Sequence, residues 1–306
     1  MTAATLRLGT RRSALAMAQS AMVAGALEAA HPGLAVELVP IVTEGDRRPG
    51  DLSRIGGKGL FTRELEERLL DGGLDLAVHS LKDLPVGFSE QLLLAAFPRR
   101  ADPRDALISE TATSLSQLPE GAVLLTGSLR RQAQLRAARP DLRVEPVRGN
   151  VETRVRKWRQ SGAAGLILAA AGLARLGIDD LPAHPIEPRL MLPAPGQGTL
   201  ALQVRRGTPA ETLCRALDHP ATALATRAER AVVAAFGADC TLPLAAWAEA
   251  ADDGAIRLAA LLATPDGRRV ARAAATGRDP EAVAGECTAE LHRQGAAEIL
   301  AQRSQP

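Results

Sequence analysis

Aromatic residues are scarce in this 306-residue chain, which contains four phenylalanines, two tryptophans and no tyrosine. Proteins that bind single-stranded nucleic acid stack bases on such rings, and a net charge of only +2 provides no broad basic surface. The composition therefore argues against a nucleic-acid partner. A nucleic-acid binder remains an alternative, and it would require tight, salt-sensitive binding of oligonucleotides.

Cysteine is also rare, with only Cys214, Cys240 and Cys287 in the chain. An odd number without C-x-x-C spacing predicts neither a disulfide framework nor a cysteine zinc site, and it suits a reducing compartment. The five histidines lack metal-binding spacing such as H-E-x-x-H. We therefore predict no metal site.

Long hydrophobic runs are absent as well. No segment approaches the roughly 18 consecutive apolar residues of a membrane-spanning helix, and residues 1–12 lack the apolar core of a secretory signal peptide. These features predict a cytoplasmic protein with no membrane partner. A hydrophobic fraction of 46% and a charged fraction of 24% are typical of a globular fold, and the length predicts two or three domains.

Most basic residues are arginine: the chain has 34 arginines and only three lysines, Lys58, Lys82 and Lys157. Ten basic residues fall within 121–160 against three acidic ones, a local charge of +7. Guanidinium groups bind carboxylates and phosphates in bidentate geometry. Small polyanions are therefore the predicted ligands of this segment.

Short apolar runs alternate with helical patterns along the first two thirds of the chain, and this order predicts parallel sheets. The first helix is predicted to have Ser13 as its N-cap and one face formed by Leu15, Ala18, Met22 and Ala26. A proline- and glycine-rich segment at 192–198 suits a crossing between domains. Strands are predicted at 5–10, 35–42, 74–78, 122–126, 142–147, 165–169 and 200–204, and later helices at 61–69, 129–138 and 151–160.

The last third has a different pattern. A helix at 227–236 precedes a strand at 244–249, and a hairpin at 256–262 and 270–275 turns through a Pro-Asp-Gly sequence. A final helix begins at Asp279 and is predicted to bury Val283, Cys287 and Leu291. These elements predict a small α+β domain.

Lys82 and Asp83 directly follow a short apolar strand. Ligands of open α/β sheets bind outside the carboxyl ends of the strands, so these two residues are candidates for a site. The alternative is a solvated ion pair on a surface loop.

A second candidate begins at Thr126, where a strand, a small-residue turn and a helix follow one another. Ser128, Arg130 and Arg131 there suit a carboxylate or phosphate site at a helix start. The alternative has Ser128 as a simple N-cap with both arginines on a solvated helix face. A similar arrangement at 147–154 favours an anion site.

Two further segments are ambiguous when considered alone. The glycine-rich segment 55–61 carries Lys58 and Phe61 but lacks the spacing of a phosphate-binding P-loop, so it predicts either a mobile loop over a ligand or a plain turn. Cys240 is predicted to lie in a loop, whereas Cys214 and Cys287 lie on apolar helix faces. Cys240 is thus a nucleophile or an incidental thiol.

These segments, taken together and in order, resemble the porphobilinogen deaminase (hydroxymethylbilane synthase) family across nearly the whole chain. The matching motifs are RLGTRRS at 7–13, GGKGLF at 56–61, AVHSLKDLP at 77–85, DPRDA at 102–106, GSLRRQ at 127–132, RGNV at 148–151, PGQG at 195–198, AERA at 228–231 and the segment around Cys240.

The resemblance implies an α/β fold with two periplasmic-binding-protein-like domains, a cleft between them, and a small C-terminal α+β domain that carries a cofactor cysteine. The implied boundaries are 1–99 with 198–217, 103–193, and 220–306. Members of this family are transferases of heme and porphyrin biosynthesis. They join four porphobilinogen molecules head to tail into hydroxymethylbilane and release ammonia, on a dipyrromethane cofactor made from their own substrate. They are typically monomeric.

The resemblance also implies roles for particular residues. Cys240 would hold the dipyrromethane, and Asp83 would be the catalytic residue, accepting hydrogen bonds from pyrrole N–H groups rather than binding an arginine. The other implied cofactor-binding residues are Lys82, Ser128, Arg130 and Arg131. The implied substrate-binding residues are Arg11, Ser13, Gln19, Lys58, Thr126, Arg148, Arg154 and Arg175.

The chain departs from the family pattern at three positions. Asp239 stands before Cys240 where glycine or alanine is common, Ala245 replaces a frequent glycine, and Gln203 replaces a usual acidic residue. The main alternative is a non-catalytic anion-binding module, because solute receptors and regulator effector domains share the two-domain architecture.

Overall fold

A computed structural model describes residues 4–47, 62–237 and 242–302. The chain divides into two compact units. The first comprises residues up to Ala101 together with Thr199–Ala223, and the second comprises Asp102–Gly198 together with the residues from Leu224 onward. The chain thus leaves the first unit and returns to it directly after the predicted crossing segment. A further division into domains at 103–193 and 220–306 stays a prediction.

The described strands and helices are numbered in chain order. The strands are β1 (Ala4–Arg11), β2 (Leu34–Ile41), β3 (Leu76–Ser80), β4 (Leu92–Ala96), β5 (Asp105–Ile108), β6 (Val123–Leu125), β7 (Arg143–Glu145), β8 (Gly165–Ala169), β9 (Ala183–Pro185), β10 (Leu200–Arg205), β11 (Leu244–Ala250), β12 (Ile256–Ala263) and β13 (Val270–Gly277). The α-helices are α1 (Ala14–Ala30), α2 (Glu44–Arg47), α3 (Arg63–Leu70), α4 (Leu129–Ala138), α5 (Val151–Ser161), α6 (Ala170–Arg175), α7 (Pro209–Arg215), α8 (Pro220–Ala235), α9 (Pro280–Arg293) and α10 (Ala296–Ala301).

The first unit contains a five-stranded sheet in the order β2-β1-β3-β10-β4. β1 is parallel to β2 and β3, as predicted, whereas β10 is antiparallel to both of its neighbours. The sheet is therefore mixed rather than purely parallel. Apolar side chains cover both of its faces, with Leu8 and Leu27 in one fully buried cluster and Leu65 and Leu69 in another.

Helix α1 begins at the predicted N-cap, because the Ser13 hydroxyl accepts a hydrogen bond from the N–H of Ala16 at 3.3 Å. The predicted apolar face of Leu15, Ala18, Met22 and Ala26 is not the face that the helix buries, because Met22 is 55% exposed. The helix instead buries Gln19, Ser20, Val23, Ala24 and Leu27. Apolar residues surround this helix on all sides, so their spacing does not identify the packed face.

The second unit contains another mixed five-stranded sheet, in the order β7-β6-β8-β5-β9. β6 is parallel to β7 and β8, whereas β5 is antiparallel to β8 and β9. The helices α4 and α5 follow β6 and β7 as predicted. Three short strands, β4, β5 and β9, were not predicted from the sequence.

The residues after Leu224 in the second unit form the predicted small α+β arrangement. β11, β12 and β13 form an antiparallel sheet, and α9 packs its buried Val283, Cys287 and Leu291 against this sheet. Asp279 caps α9 by accepting a hydrogen bond from the N–H of Ala282 at 2.7 Å. The fold class is therefore confirmed: an α/β fold with two five-stranded sheets is followed by a small α+β arrangement with a three-stranded sheet. None of the described helices is long and apolar enough to span a membrane.

Candidate active site

Lys82 and Asp83 lie on a single 3-10 turn that directly follows β3. Leu81 and Leu84 are 2% and 6% exposed and pack with Phe97. They anchor the turn on both sides, while both charged side chains are exposed. The structure thus confirms that this pair lies at the carboxyl end of a strand.

Asp83 has no ion-pair partner among residues 4–47, 62–237 and 242–302. An exposed carboxylate in this state can accept hydrogen bonds from ligand N–H groups without first losing a guanidinium. Its orientation toward pyrrole nitrogens stays a prediction.

Arg11 ends β1, and Ser13 caps the helix that follows. Because β1 and β3 are parallel neighbours, their carboxyl ends lie at the same edge of the sheet. We name this group, Arg11, Ser13, Lys82 and Asp83, the first edge. It combines two cations, a hydroxyl and a carboxylate at one edge of the sheet.

A buried polar network lies behind the turn. His79 Nε2 and Gln203 Oε1 are 3.0 Å apart, and Gln203 Nε2 donates to Glu66 Oε1 at 3.1 Å. Gln19, predicted as a substrate-binding residue, is only 4% exposed and donates through Nε2 to the hydroxyl of Ser80 at 2.9 Å. These contacts tie the end of β3 to α1, α3 and β10.

Burial lowers the pKa of His79 to about 4, with the charge of Arg11 acting in the same direction and the bond to Gln203 opposing it. His79 is therefore neutral at neutral pH. Because an unfolded histidine titrates near 6.5, the free energy of unfolding should fall by about 3 kcal/mol as the pH drops from 6.5 toward 4.

Urea unfolding of wild type and His79→Gln at pH 7 and pH 4.5 measures this effect. The decrease should be smaller in the variant, which has no imidazole to protonate in the unfolded state. Equal decreases in the two proteins would contradict a neutral, buried His79.

The second unit gathers its predicted anion-binding residues at one edge of its own sheet. β6, β7 and β8 run in the same direction, so their carboxyl ends share this edge. We name the residues that follow these strands the second edge: Thr126, Ser128, Arg130, Arg131, Arg148, Arg154 and Arg175. The sequence pattern placed all of them except Arg175 near a strand end, and Arg175 was assigned from the family resemblance alone.

Thr126 and Ser128 form the start of α4. Thr126 is fully buried, and the Ser128 hydroxyl accepts a hydrogen bond from the N–H of Arg131 at 3.5 Å. A Cβ atom on Gly127 would lie 2.5 Å from the carbonyl oxygen of Val147. Glycine therefore allows the turns after β6 and β7 to approach each other closely.

Arg130 and Arg131 are each only 4% exposed, so the alternative of a solvated helix face is wrong. Both bind the fully buried carboxylate of Asp105: Arg130 Nη1 contacts Oδ2 at 2.8 Å, and Arg131 Nη2 contacts Oδ1 at 2.8 Å. Asp105 was not recognised as a site residue from the sequence. Its signal is a carboxylate at the start of the apolar run Ala-Leu-Ile, where a charge is retained only with a partner.

The remaining arginines of the second edge differ in burial. Arg148 is exposed, whereas Arg154 is half-buried and donates through Nε to the carbonyl oxygen of Gly149 at 2.7 Å. Arg175 donates through Nη2 to the carbonyl oxygen of Gly198 at 2.6 Å. Burial lowers the pKa of Arg175 to about 10, so it still carries its charge at neutral pH.

Cys214 and Cys287 are fully buried, as predicted. Burial raises the pKa of Cys214 to about 12 and that of Cys287 to about 11, so neither is a reactive thiolate. Cys240, Asp239, Lys58 and Phe61, to which the sequence analysis also gave roles, lie outside the described residues. The described residues contain no group of three or more His, Cys, Asp and Glu side chains arranged to hold a metal ion.

Relatives with curated names cover nearly the whole chain. A protein of Rubrobacter xylanophilus named "Porphobilinogen deaminase" is 48% identical over 300 residues, which are 97% of this chain and 97% of the relative. One of Acidothermus cellulolyticus with the same name is 46% identical over 303 residues, covering 96% of this chain and 91% of the relative.

Two solved structures illustrate a likeness at low TM-scores. The periplasmic VFT2 domain of Bordetella pertussis BvgS has a TM-score of 0.40 at 13% identity, covering 70% of this chain and 86% of that one. The BenM effector-binding domain has a TM-score of 0.42 at 14% identity, covering 78% and 95%. These scores are too low to carry an argument about function.

Two family profiles match the chain in sequence order. The profile described as "Porphobilinogen deaminase, dipyromethane cofactor binding domain" matches residues 6–212. The profile described as "Porphobilinogen deaminase, C-terminal domain" matches residues 223–293. With these matches and relatives more than 45% identical along its length, the chain belongs to the porphobilinogen deaminase family.

Proposed function

We propose that this chain is a hydroxymethylbilane synthase, which joins four porphobilinogen molecules head to tail and releases one ammonia from each. The observation that carries this proposal is the match of both family profiles over residues 6–212 and 223–293. The two edges support it, because the substrate and the growing chain carry an acetate and a propionate on every ring. Arginine is suited to bind such carboxylates.

Asp83 is the proposed catalytic residue. When ammonia leaves porphobilinogen, the remaining azafulvene is cationic, and a nearby carboxylate stabilises the positive charge as it develops. The same carboxylate accepts hydrogen bonds from pyrrole N–H groups and so orients the ring. Its exposure on an anchored turn, without an ion-pair partner among the described residues, fits both tasks.

The residues at the start of α4 fit the carboxylates of a dipyrromethane. The helix start supplies backbone N–H groups, and Ser128, Arg130 and Arg131 add a hydroxyl and two guanidiniums. Arg130 Nε is buried and has no hydrogen-bond partner among the described residues, so it can donate to a ligand. Lys82 is the fourth residue proposed to hold the group. When bound, dipyrromethane supplies the pyrrole carbon to which the first porphobilinogen is joined.

Cys240 is the proposed attachment residue. It lies in a four-residue segment between Gly237, which ends the α8 region in a left-handed conformation, and Leu242, which is 4% exposed. The remaining proposed substrate-binding residues are Arg11, Ser13, Gln19, Lys58, Thr126, Arg148, Arg154 and Arg175. A cytoplasmic location, predicted from the lack of long apolar runs, is also part of the proposal. A monomeric state is proposed on the family resemblance alone.

The function is tested by incubating the purified protein with porphobilinogen and measuring hydroxymethylbilane and ammonia together. Four ammonia molecules should appear for each hydroxymethylbilane, because each of the four condensations releases one. Binding of porphobilinogen with neither product would support a non-catalytic anion-binding module instead.

A further inference from the structure

The carboxylate of Asp105 is placed at the second edge by the antiparallel direction of one strand. β5 runs opposite to β8, and Asp105 at the start of β5 pairs with Ala169 at the end of β8. The amino end of β5 therefore lies at the same edge as the carboxyl ends of β6, β7 and β8. Asp105 thus belongs spatially to the anion-binding arginines, although it precedes the first of them by 25 residues.

Every oxygen of this carboxylate is occupied. Oδ2 accepts from Arg130 Nη1 at 2.8 Å, and Oδ1 accepts from Arg130 Nη2 at 3.2 Å and from Arg131 Nε at 3.0 Å. Gln197 Nε2 donates to Oδ1 at 2.8 Å and to the carbonyl oxygen of Pro103 at 2.7 Å. One carboxylate thereby fixes two guanidinium planes and is itself held by the turn at 195–198.

The two guanidiniums have further anchors that restrict how they turn. Arg130 Nη1 also donates to the carbonyl oxygen of Leu192 at 2.6 Å, and Arg131 Nη1 donates to that of Ile167 at 3.0 Å. Burial alone would raise the pKa of Asp105, but the charges of both arginines and the hydrogen bonds outweigh burial and hold this pKa well below its ordinary value. The carboxylate is therefore ionised whenever the protein is folded at neutral pH.

The charges in this buried group do not balance. Among residues 4–47, 62–237 and 242–302, two guanidiniums face one carboxylate, which leaves one positive charge. A buried charge without a counter-ion is costly, and an anion that pairs with it removes that cost. Arg130 Nε, a buried donor with no hydrogen-bond partner in the part of the chain that the structure describes, is available to such an anion.

We infer that Asp105 is a positioning residue, which orients Arg130 and Arg131 and leaves them one positive charge with which to bind a carboxylate of dipyrromethane. This inference rests on the proposed function. Asp105 is itself enclosed by protein groups, so it acts through the arginines and not by touching the ligand.

The test compares Asp105→Asn with Asp141→Asn. Asp141 is a matched control because its carboxylate also binds an arginine, Arg139, at 2.9 Å and 2.6 Å, yet lies beyond the other end of α4. Each protein is made without cofactor in cells that cannot produce porphobilinogen. Porphobilinogen is then added, and the dipyrromethane adduct is measured by intact mass spectrometry. The temperature is kept below the melting temperature of both variants.

Asp105→Asn should raise the porphobilinogen concentration for half-maximal adduct formation roughly tenfold, because the arginines lose a charge-assisted hydrogen-bond partner. Asp141→Asn should leave this concentration unchanged. Equal values for wild type and folded Asp105→Asn would overturn the inference and reduce Asp105 to a stabilising role.

A second variant decides the question if Asp105→Asn does not fold. Gln197→Met keeps the side-chain length but removes the amide that holds Oδ1, so the same concentration should rise about threefold. No rise in a folded Gln197→Met protein would overturn the inference. A wild-type protein that forms neither adduct nor product would instead refute the proposed function. This outcome differs from a failure of the inference, in which the wild type forms the adduct and the variants need no more porphobilinogen than the wild type.

Discussion

Replacing Asp83 by asparagine should lower turnover of porphobilinogen by about 10²–10⁴-fold, the range expected when a charge-stabilising or proton-transferring group is lost. Asparagine has nearly the same shape as aspartate but carries no charge to stabilise the azafulvene. Because Leu81 and Leu84 anchor the turn, the backbone should stay in place. The measurement is the initial rate of hydroxymethylbilane formation at saturating porphobilinogen, together with the Michaelis constant.

Two further variants are controls for the Asp83→Asn measurement. Asp83→Glu keeps the charge but moves it by one methylene, so it should retain more activity than Asp83→Asn. Asp71→Asn removes an exposed carboxylate in the same unit, at the end of α3, and should leave turnover unchanged. A turnover in Asp83→Asn within twofold of wild type would exclude Asp83 as the catalytic residue.

Replacing Cys240 by serine should abolish the covalent adduct and reduce product formation to background. A thiolate forms a thioether readily, whereas a serine hydroxyl is a weak nucleophile near neutral pH. Intact mass of the purified wild type should exceed the polypeptide mass by one dipyrromethane unit, and the Cys240→Ser protein should show the polypeptide mass alone.

The other two cysteines are internal controls for this experiment. Cys214 and Cys287 are fully buried and have a raised pKa, so Cys214→Ala and Cys287→Ala should both keep the adduct. If the wild type stays at the polypeptide mass even after incubation with porphobilinogen, the assignment of Cys240 is wrong. A non-catalytic anion-binding module then becomes the better explanation of the two edges.

Local patterns predicted the regular elements well where caps and glycines mark their ends. Helix α4 was predicted with the bounds that the structure has, because Ser128 caps its start and an apolar strand precedes it. The buried face of α1 was predicted incorrectly, since polar Gln19 and Ser20 are buried there while Met22 is exposed. The burial of Gln19 depends on its hydrogen bond to Ser80, which is 61 residues away.

The candidate site was predicted from motifs, but its electrostatics were not. The strand-end positions of Asp83 and Ser128 follow from sequence order alone. The ion pairs of Asp105 with Arg130 and Arg131 depend on β5 running antiparallel to β8, which no local pattern in the sequence reveals. Long-range pairing of strands therefore determines which charges neutralise one another, and local sequence patterns do not predict that pairing.

The place of β10 in the first sheet has a consequence for how the chain is made. β10 begins at residue 200 and lies between β3 and β4, although β4 already ends at residue 96. All five strands of the second sheet lie between residues 105 and 185. During synthesis, which proceeds from the N-terminus, the second sheet has all its strands before the first receives its missing inner strand. Until then the edges of β3 and β4 that will bind β10 have unpaired backbone groups, so the sheet begun first is completed after the one begun second.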